Sequence, residues 1–189
     1  MDSFQLRMTK SFLRKQLRIT LKKIGALDRK RKSRKIIVRV SKLPAFKKAG
    51  SIFTYVALPN EVETHGLIRQ ALTMKKNVYA PRMNRRSREI TFFQIRNFPK
   101  DLRKGMFGIP EPRPIASRRG SPQASDLVIV PALGFDRTGR RIGRGGGYFD
   151  RFLRKAKRAT KIGLAFREQV VKKIPQGSND VCVDCVITD

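Results

Sequence analysis

Twelve consecutive residues, Gly139-Arg-Arg-Ile-Gly-Arg-Gly-Gly-Gly-Tyr-Phe-Asp150, carry five glycines and three arginines. Glycine lets a backbone come close to a ligand, successive N–H groups form a concavity for anions, and a helix that follows adds a favourable dipole. Arg141 and Arg144 supply fixed positive charge suited to phosphate. One reading is a phosphate cradle; the same residues also fit a flexible glycine turn with solvated arginines. Neither nucleotide-loop template is met, because there is no G-x-x-x-x-G-K-[ST], and Tyr148 stands where a dinucleotide fingerprint wants Gly or Ala. Asp150, just inside the predicted helix, is placed either to approach a phosphate-bound magnesium ion or simply to balance the helix dipole. Asp180, in Ser-Asn-Asp, reads by itself as a turn residue.

Other chemistry is scarce. Cys182 and Cys185 are the two cysteines and His65 the one histidine, which excludes a disulfide framework and any nucleophilic triad built on several histidines. The cysteines read C-x-x-C, but their β-branched neighbours predict a strand that turns the thiols to opposite faces, and no second ligand pair exists for a closed zinc site. Two reduced cysteines predict a cytoplasmic setting.

The elements that must position these residues follow from hydrophobic period. Phe12 or Leu13, then Leu17, Leu21 and Ile24 at helical spacing, interleaved with Lys10, Arg14, Arg18 and Lys22, predict an amphipathic first helix. Such a basic start also occurs in mitochondrial presequences, although Asp2 interrupts that pattern. A second helix is predicted over about 29–43, with Ile36, Ile37 and Val40 inward, ending before Pro44. Residues 52–56 and 78–80 read as strands, and 90–95 as another. Asn60-Glu-Val-Glu63 has capping-box spacing and predicts a helix over Leu67, Ile68, Ala71 and Leu72, which makes Glu61 equally readable as helix-start decoration. Residues 104–125 are dense in Gly, Pro and Ser and predict a long ordered loop or a lid. Asp126-Leu-Val-Ile-Val130 has the continuous apolar character of a strand buried on both faces of a parallel sheet. A helix over 147–153 and strands over 162–166 and 181–187 complete an α/β reading with helices on both sheet faces, as one domain over 1–189. No internal repeat is present.

Composition bounds the function. Lys and Arg number 44 against 14 acids, a formal net charge of +30, and residues 1–50 hold 17 of the cations with only Asp2 and Asp28 opposing them. Such a charge attracts nucleic acid, phosphate-bearing small molecules, polycarboxylates or an anionic surface. No apolar stretch approaches the roughly 20 residues of a spanning helix, so no membrane partner is expected.

Val130-Pro-Ala-Leu-Gly-Phe-Asp136 followed by Gly139-x-Arg-Ile-Gly-Arg-Gly-Gly-Gly-Tyr-Phe-Asp-Arg-Phe-Leu153 resembles the signature of the 5-formyltetrahydrofolate cyclo-ligase (methenyltetrahydrofolate synthetase) family. Further marks stand in order: Lys10-x-x-Leu-Arg14, Asn60-Glu-Val-Glu-Thr64, Ala80-Pro-Arg82, Gly108-Ile-Pro-Glu-Pro112, and Gly163-Leu-Ala-Phe-Arg-Glu-Gln169 through Asn179-Asp180. The resemblance runs from about residue 8 to the end. It implies a three-layer α/β/α fold with a mostly parallel central sheet, and a magnesium-dependent enzyme that uses ATP to cyclise 5-formyltetrahydrofolate to 5,10-methenyltetrahydrofolate, releasing ADP and phosphate. That reaction needs positioning and charge stabilisation rather than a protein nucleophile.

By resemblance, Lys10, Arg14, Arg141, Gly143, Arg144, Gly145, Gly146, Gly147, Tyr148 and Phe149 bind ATP, and Arg144 and Tyr148 are catalytic. Val56, Glu61 and Phe107 match folate-contact positions, together with Arg144 and Tyr148, and Asp150 and Asp180 match magnesium carboxylates. Three positions depart from the family pattern: Phe149 lacks the hydroxyl of a second Tyr, Gly146 stands where some relatives carry Lys, and Asn179 where His is common. A monomer is expected by resemblance, the charge suits a polyglutamylated folate, and non-specific nucleic-acid binding is the alternative that basicity alone suggests.

Overall fold

The computed structural model describes residues 9–189, apart from the side chain of Phe107. Its helices are α1 (Lys10–Lys23), α2 (Ala26–Lys42), α3 (Pro44–Lys48), α4 (His65–Thr73) and α5 (Tyr148–Lys155). Its strands are β1 (Ser51–Phe53), β2 (Asn77–Asn84), β3 (Glu89–Ile95), β4 (Leu102–Lys104), β5 (Pro110–Pro112), β6 (Arg119–Gly120), β7 (Leu127–Val130), β8 (Gly134–Asp136), β9 (Arg141–Ile142), β10 (Thr160–Leu164), β11 (Val170–Val171) and β12 (Cys185–Ile187). Seven of them form one sheet in the order β12-β10-β7-β1-β2-β3-β6, parallel from β12 to β2 and antiparallel across β3 and β6. This is the mostly parallel sheet that the sequence predicts.

Strand periodicity divides the core into two. Ile52, Leu127, Ile129, Ile162 and Leu164 face α1, α2, α3 and α4, meeting Leu13, Leu17, Leu21, Ile36, Val40, Phe46, Leu67 and Ile68. Their alternates Phe53, Val128 and Val130 face the other way, onto Phe92, Phe135, Phe152 and Leu153 around α5. Burying each such side chain stabilises the fold by about 1.5–3 kcal/mol. The apolar run of β7 is buried at all four positions because helices cover both faces.

Several elements differ from their sequence outlines for local reasons. β1 stops at Phe53 because the Tyr55 carbonyl is taken by the Thr64 hydroxyl at 2.8 Å, and the chain turns away from the sheet. Helix α4 starts at His65, four residues beyond the capping-box outline, because the Glu61 carboxylate accepts from Leu58 N at 3.0 Å and the Tyr55 hydroxyl donates to Val62 O at 2.9 Å, fixing 58–63 as a turn. β2 runs on through Pro81 because β1 pairs only as far as Tyr79, so the missing N–H of Pro81 falls where no strand needs it. The segment 104–125 is not a bare loop: it holds the β4–β5 hairpin, two single 3₁₀ turns and β6. The last strand is only Cys185–Ile187, with Cys182 outside it. A small second sheet, β11-β8-β9, has no clear outline in the sequence, its strands being two or three residues long.

Candidate active site

β1 and β7 are neighbours, and the chain crosses from β1 toward β2 but from β7 toward β10, in opposite directions along the sheet. A crevice opens beyond the carboxyl ends of parallel strands at such a switch point. Here Val56, just past β1, and Pro131 and Ala132, just past β7, line a cavity of about 380 Å³. The first turn of α1 brings Lys10 and Arg14 to it, β9 brings Arg141, and the glycine loop with the start of α5 closes one side from Gly143 to Arg151.

One buried carboxylate sets the course of that loop. Asp136 Oδ1 accepts from Thr138 N at 3.0 Å, Thr138 Oγ1 at 2.7 Å and Arg140 N at 3.1 Å, while Oδ2 accepts from Ile174 N at 3.0 Å. Burial opposes its charge, but these donors outweigh burial and hold Asp136 below the ordinary carboxylate value. Between β8 and β9 the chain turns through Gly139 at φ +81°, where a Cβ would fall on the Val183 carbonyl oxygen. The turn delivers Arg141 inward, its side chain only 3% exposed, with Nη2 donating to Asp150 Oδ1 at 2.6 Å. Its Nε has no hydrogen-bond partner among the described residues. Burial lowers the Arg141 pKa, and the neighbouring Asp150 and Asp180 offset part of that loss.

The glycine loop is pinned from α1. Arg14 Nε donates to Gly143 O at 3.0 Å, and Arg18 reaches Arg144 O at 3.4 Å. Gly145 and Gly147 take φ of +114° and +66°, conformations that favour glycine, and Gly147 hands the chain to α5. A Cβ at Gly146 would press on the Tyr148 ring, which lies beneath the Arg151 guanidinium at 5.6 Å. Phe149 faces Arg141 at 6.0 Å and meets the edge of Phe152, so at this position the ring packs toward the core.

Asp150 and Asp180 share the Arg141 neighbourhood. Asp180 Oδ2 accepts from Gly177 N at 2.6 Å and pairs with Lys10; burial opposes its charge, yet these donors lower its pKa. Among the described residues no trio of His, Cys, Asp or Glu is gathered. Asp150 Oδ2 and Asp180 Oδ1 carry no hydrogen bond among those residues, so each carboxylate keeps one open oxygen. Two carboxylates beside a phosphate-type cradle match the donor set magnesium takes, which keeps most of its waters.

The opposite wall is lined by Tyr55, Val56, Leu58, Glu61, Pro81, Met83, Ile109 and Glu111. Burial, and then Glu61, hold the Tyr55 phenol well above its ordinary value, so it acts there as a neutral donor. Glu61 Oε1 accepts from Arg144 Nη2 at 3.0 Å. Every site residue expected from sequence lines this cavity except Phe107, whose side chain lies outside the described residues. Glu111, Met83, Arg151 and Arg154 were not expected. Glu111 is 3% exposed and accepts from Met83 N at 3.1 Å; its only sequence signal is its place in Gly108-Ile-Pro-Glu-Pro112. Asn179 accepts from Arg154 Nη1 at 2.6 Å on the cavity rim. The cysteines and His65 lie outside the lining; burial and then Asp184 push the Cys185 thiol up, away from thiolate chemistry.

The sequence profile of the 5-formyltetrahydrofolate cyclo-ligase family matches residues 7–189. A Caenorhabditis elegans protein named probable 5-formyltetrahydrofolate cyclo-ligase is 28% identical, over 96% of this chain and 93% of its own. The NMR structure of Aquifex aeolicus 5,10-methenyltetrahydrofolate synthetase superimposes with a TM-score of 0.82 at 32% identity, covering 94% of this chain and 88% of that one. A 5,10-methenyltetrahydrofolate synthetase from Mycoplasma pneumoniae has the same fold, with a TM-score of 0.75 at 22% identity over 95% and 98% of the two chains.

Proposed function

The chain belongs to the 5-formyltetrahydrofolate cyclo-ligase family, and from that premise we propose that it converts 5-formyltetrahydrofolate to 5,10-methenyltetrahydrofolate with ATP and magnesium. The observation that carries the ATP half is one cavity lined together by Lys10, Arg14, Arg141, the glycine loop and the start of α5. Cations, glycine-loop N–H groups and a helix start around one space favour a bound anion. A triphosphate supplies that anion.

The formyl oxygen on N5 is a poor leaving group. Its attack on the γ-phosphorus breaks the bond to ADP and leaves an activated N5-iminium phosphate. N10 of the same folate then attacks the formyl carbon, phosphate departs and N10 loses its proton. Both nucleophiles belong to the substrate, so the protein's part is alignment and charge stabilisation. Arg144 and Tyr148 stand at the loop where charge moves, Lys10, Arg14 and Arg141 hold the phosphates, and Val56, Glu61 and the apolar wall receive the folate. Asp150 and Asp180 would hold magnesium, which when bound neutralises phosphate charge.

The test is protein stripped of nucleic acid, mixed with 5-formyltetrahydrofolate and MgATP, with the near-ultraviolet absorbance of the methenyl product followed. Product that requires ATP and vanishes with EDTA is expected; no product from folded protein overturns the reading. The same reading includes a monomer in the cytoplasm and a preference for polyglutamylated folate, for which affinity rises with tail length and falls with salt; a flat response removes that preference. A second reading, nucleic-acid binding, is favoured by α1 and α2, which carry fourteen Lys and Arg against Asp28 alone. Tight RNA binding without turnover would favour it.

A further inference from the structure

Arg144 and Glu61 both line the cavity, 83 positions apart in sequence, and a 3.0 Å bond joins them there. The two partners are held unequally. Glu61 is held at its carboxylate, with Oε2 accepting from Leu58 N at 3.0 Å and the side chain only 13% exposed. The Arg144 side chain is 48% exposed, and the bond to Glu61 is its one side-chain hydrogen bond among the described residues, while its backbone carbonyl is held by Arg18. The other inward cations differ: Arg141 holds Asp150 and Lys10 holds Asp180, each pair on the phosphate side of the cavity.

We propose that the Arg144–Glu61 bridge is an exchange latch that couples the two substrates, with Glu61 acting as a positioning residue for Arg144 as well as an acceptor. The proposal rests on the reading above. A half-exposed ion pair is worth little, so a phosphate group arriving at the glycine loop draws Arg144 away from Glu61. Oε1 of Glu61 is then open to N–H donors of the second ligand. Conversely, a ligand whose N–H groups take Glu61 releases Arg144 to the phosphate. Each substrate thus removes the competitor of the other, and linkage requires the two effects to be equal.

The experiment measures binding of the magnesium complex of a non-hydrolysable ATP analogue and of 5-formyltetrahydrofolate, each alone and in the presence of the other, by titration calorimetry. In the wild type each ligand should tighten the other roughly two- to fivefold, the range set by the worth of such a pair. In Glu61→Gln the nucleotide analogue alone should bind more tightly by about the same factor, and the folate should no longer change it. A gain of affinity on removing a charge is not what structural damage produces. Arg144→Gln should bring the coupling factor to one. Independent binding in the wild type, or unchanged or weaker nucleotide binding in Glu61→Gln, overturns the latch. Turnover without coupling removes the latch and leaves the reaction standing, whereas a wild type that binds neither ligand removes both.

Discussion

Asp136 does not line the active-site cavity, yet four donors from three residues and two segments converge on its two oxygens, and the site is built on that arrangement. Asp136→Asn keeps an acceptor toward Thr138 and Arg140 but turns an N–H₂ toward Ile174 N, leaving a buried donor unpaired at about 1–3 kcal/mol. The wild-type carboxylate titrates below its ordinary 3.8, so its contribution is complete above that value and is lost as pH falls through the depressed folded value. Urea midpoints of wild type and variant should therefore differ most near neutrality and converge as pH drops below about 4. At the chemistry itself, Arg144→Ala should lower kcat roughly 100- to 1000-fold without changing the circular dichroism spectrum, the loss expected for a donor aimed at developing charge. The loop residues read by themselves as an anion cradle or a flexible turn, because glycine and arginine suit both, and only the family resemblance gave them roles. Glu111 was not legible, since a single carboxylate beside prolines carries no pattern until the β4–β5 hairpin folds it inward.

Among the elements, the long helices α1 and α2, the fully apolar β7 and the short α5 behind its glycine run lie within a few residues of their sequence outlines. The ones misplaced are those whose boundaries are set by distant side chains. Thr64 and Tyr55 end β1 and delay α4 through hydrogen bonds across the 58–63 turn, which no local period records. The β8–β9 turn is similar in kind, but glycine marks it. Gly139→Ala must adopt φ +81° and displace the Val183 carbonyl, at a cost of about 2 kcal/mol or more. For a chain of this size that lowers Tm by roughly 4–8 °C, readable by calorimetry. Because the same turn aims Arg141, affinity for nucleotide should fall with it.

At the scale of the molecule, a net charge of +30 acts in two opposed ways. It repels itself in the compact state and attracts anions to the cavity. Raising sodium chloride from about 0.02 to 0.3 M should therefore increase Tm while weakening nucleotide binding, since the screening length shrinks below the spacing of the surface charges. A Tm that falls with salt would show that ion pairs such as Lys155–Glu89 outweigh repulsion. The charge was legible as attraction to anions, but not the use made of it, because sequence does not say which arginines turn inward.

The large sheet ends on both sides in very short strands, two residues in β6 and three in β12. Just inside β12 lies β10, five residues with four buried. A chain shortened to end at Asp184 would turn that row of unpaired amides and carbonyls outward, a template for cross-chain zippering. Static light scattering should show such a protein growing into aggregates under conditions where the full chain stays dispersed. Cys185, Val186 and Ile187 thus protect the protein from its own copies.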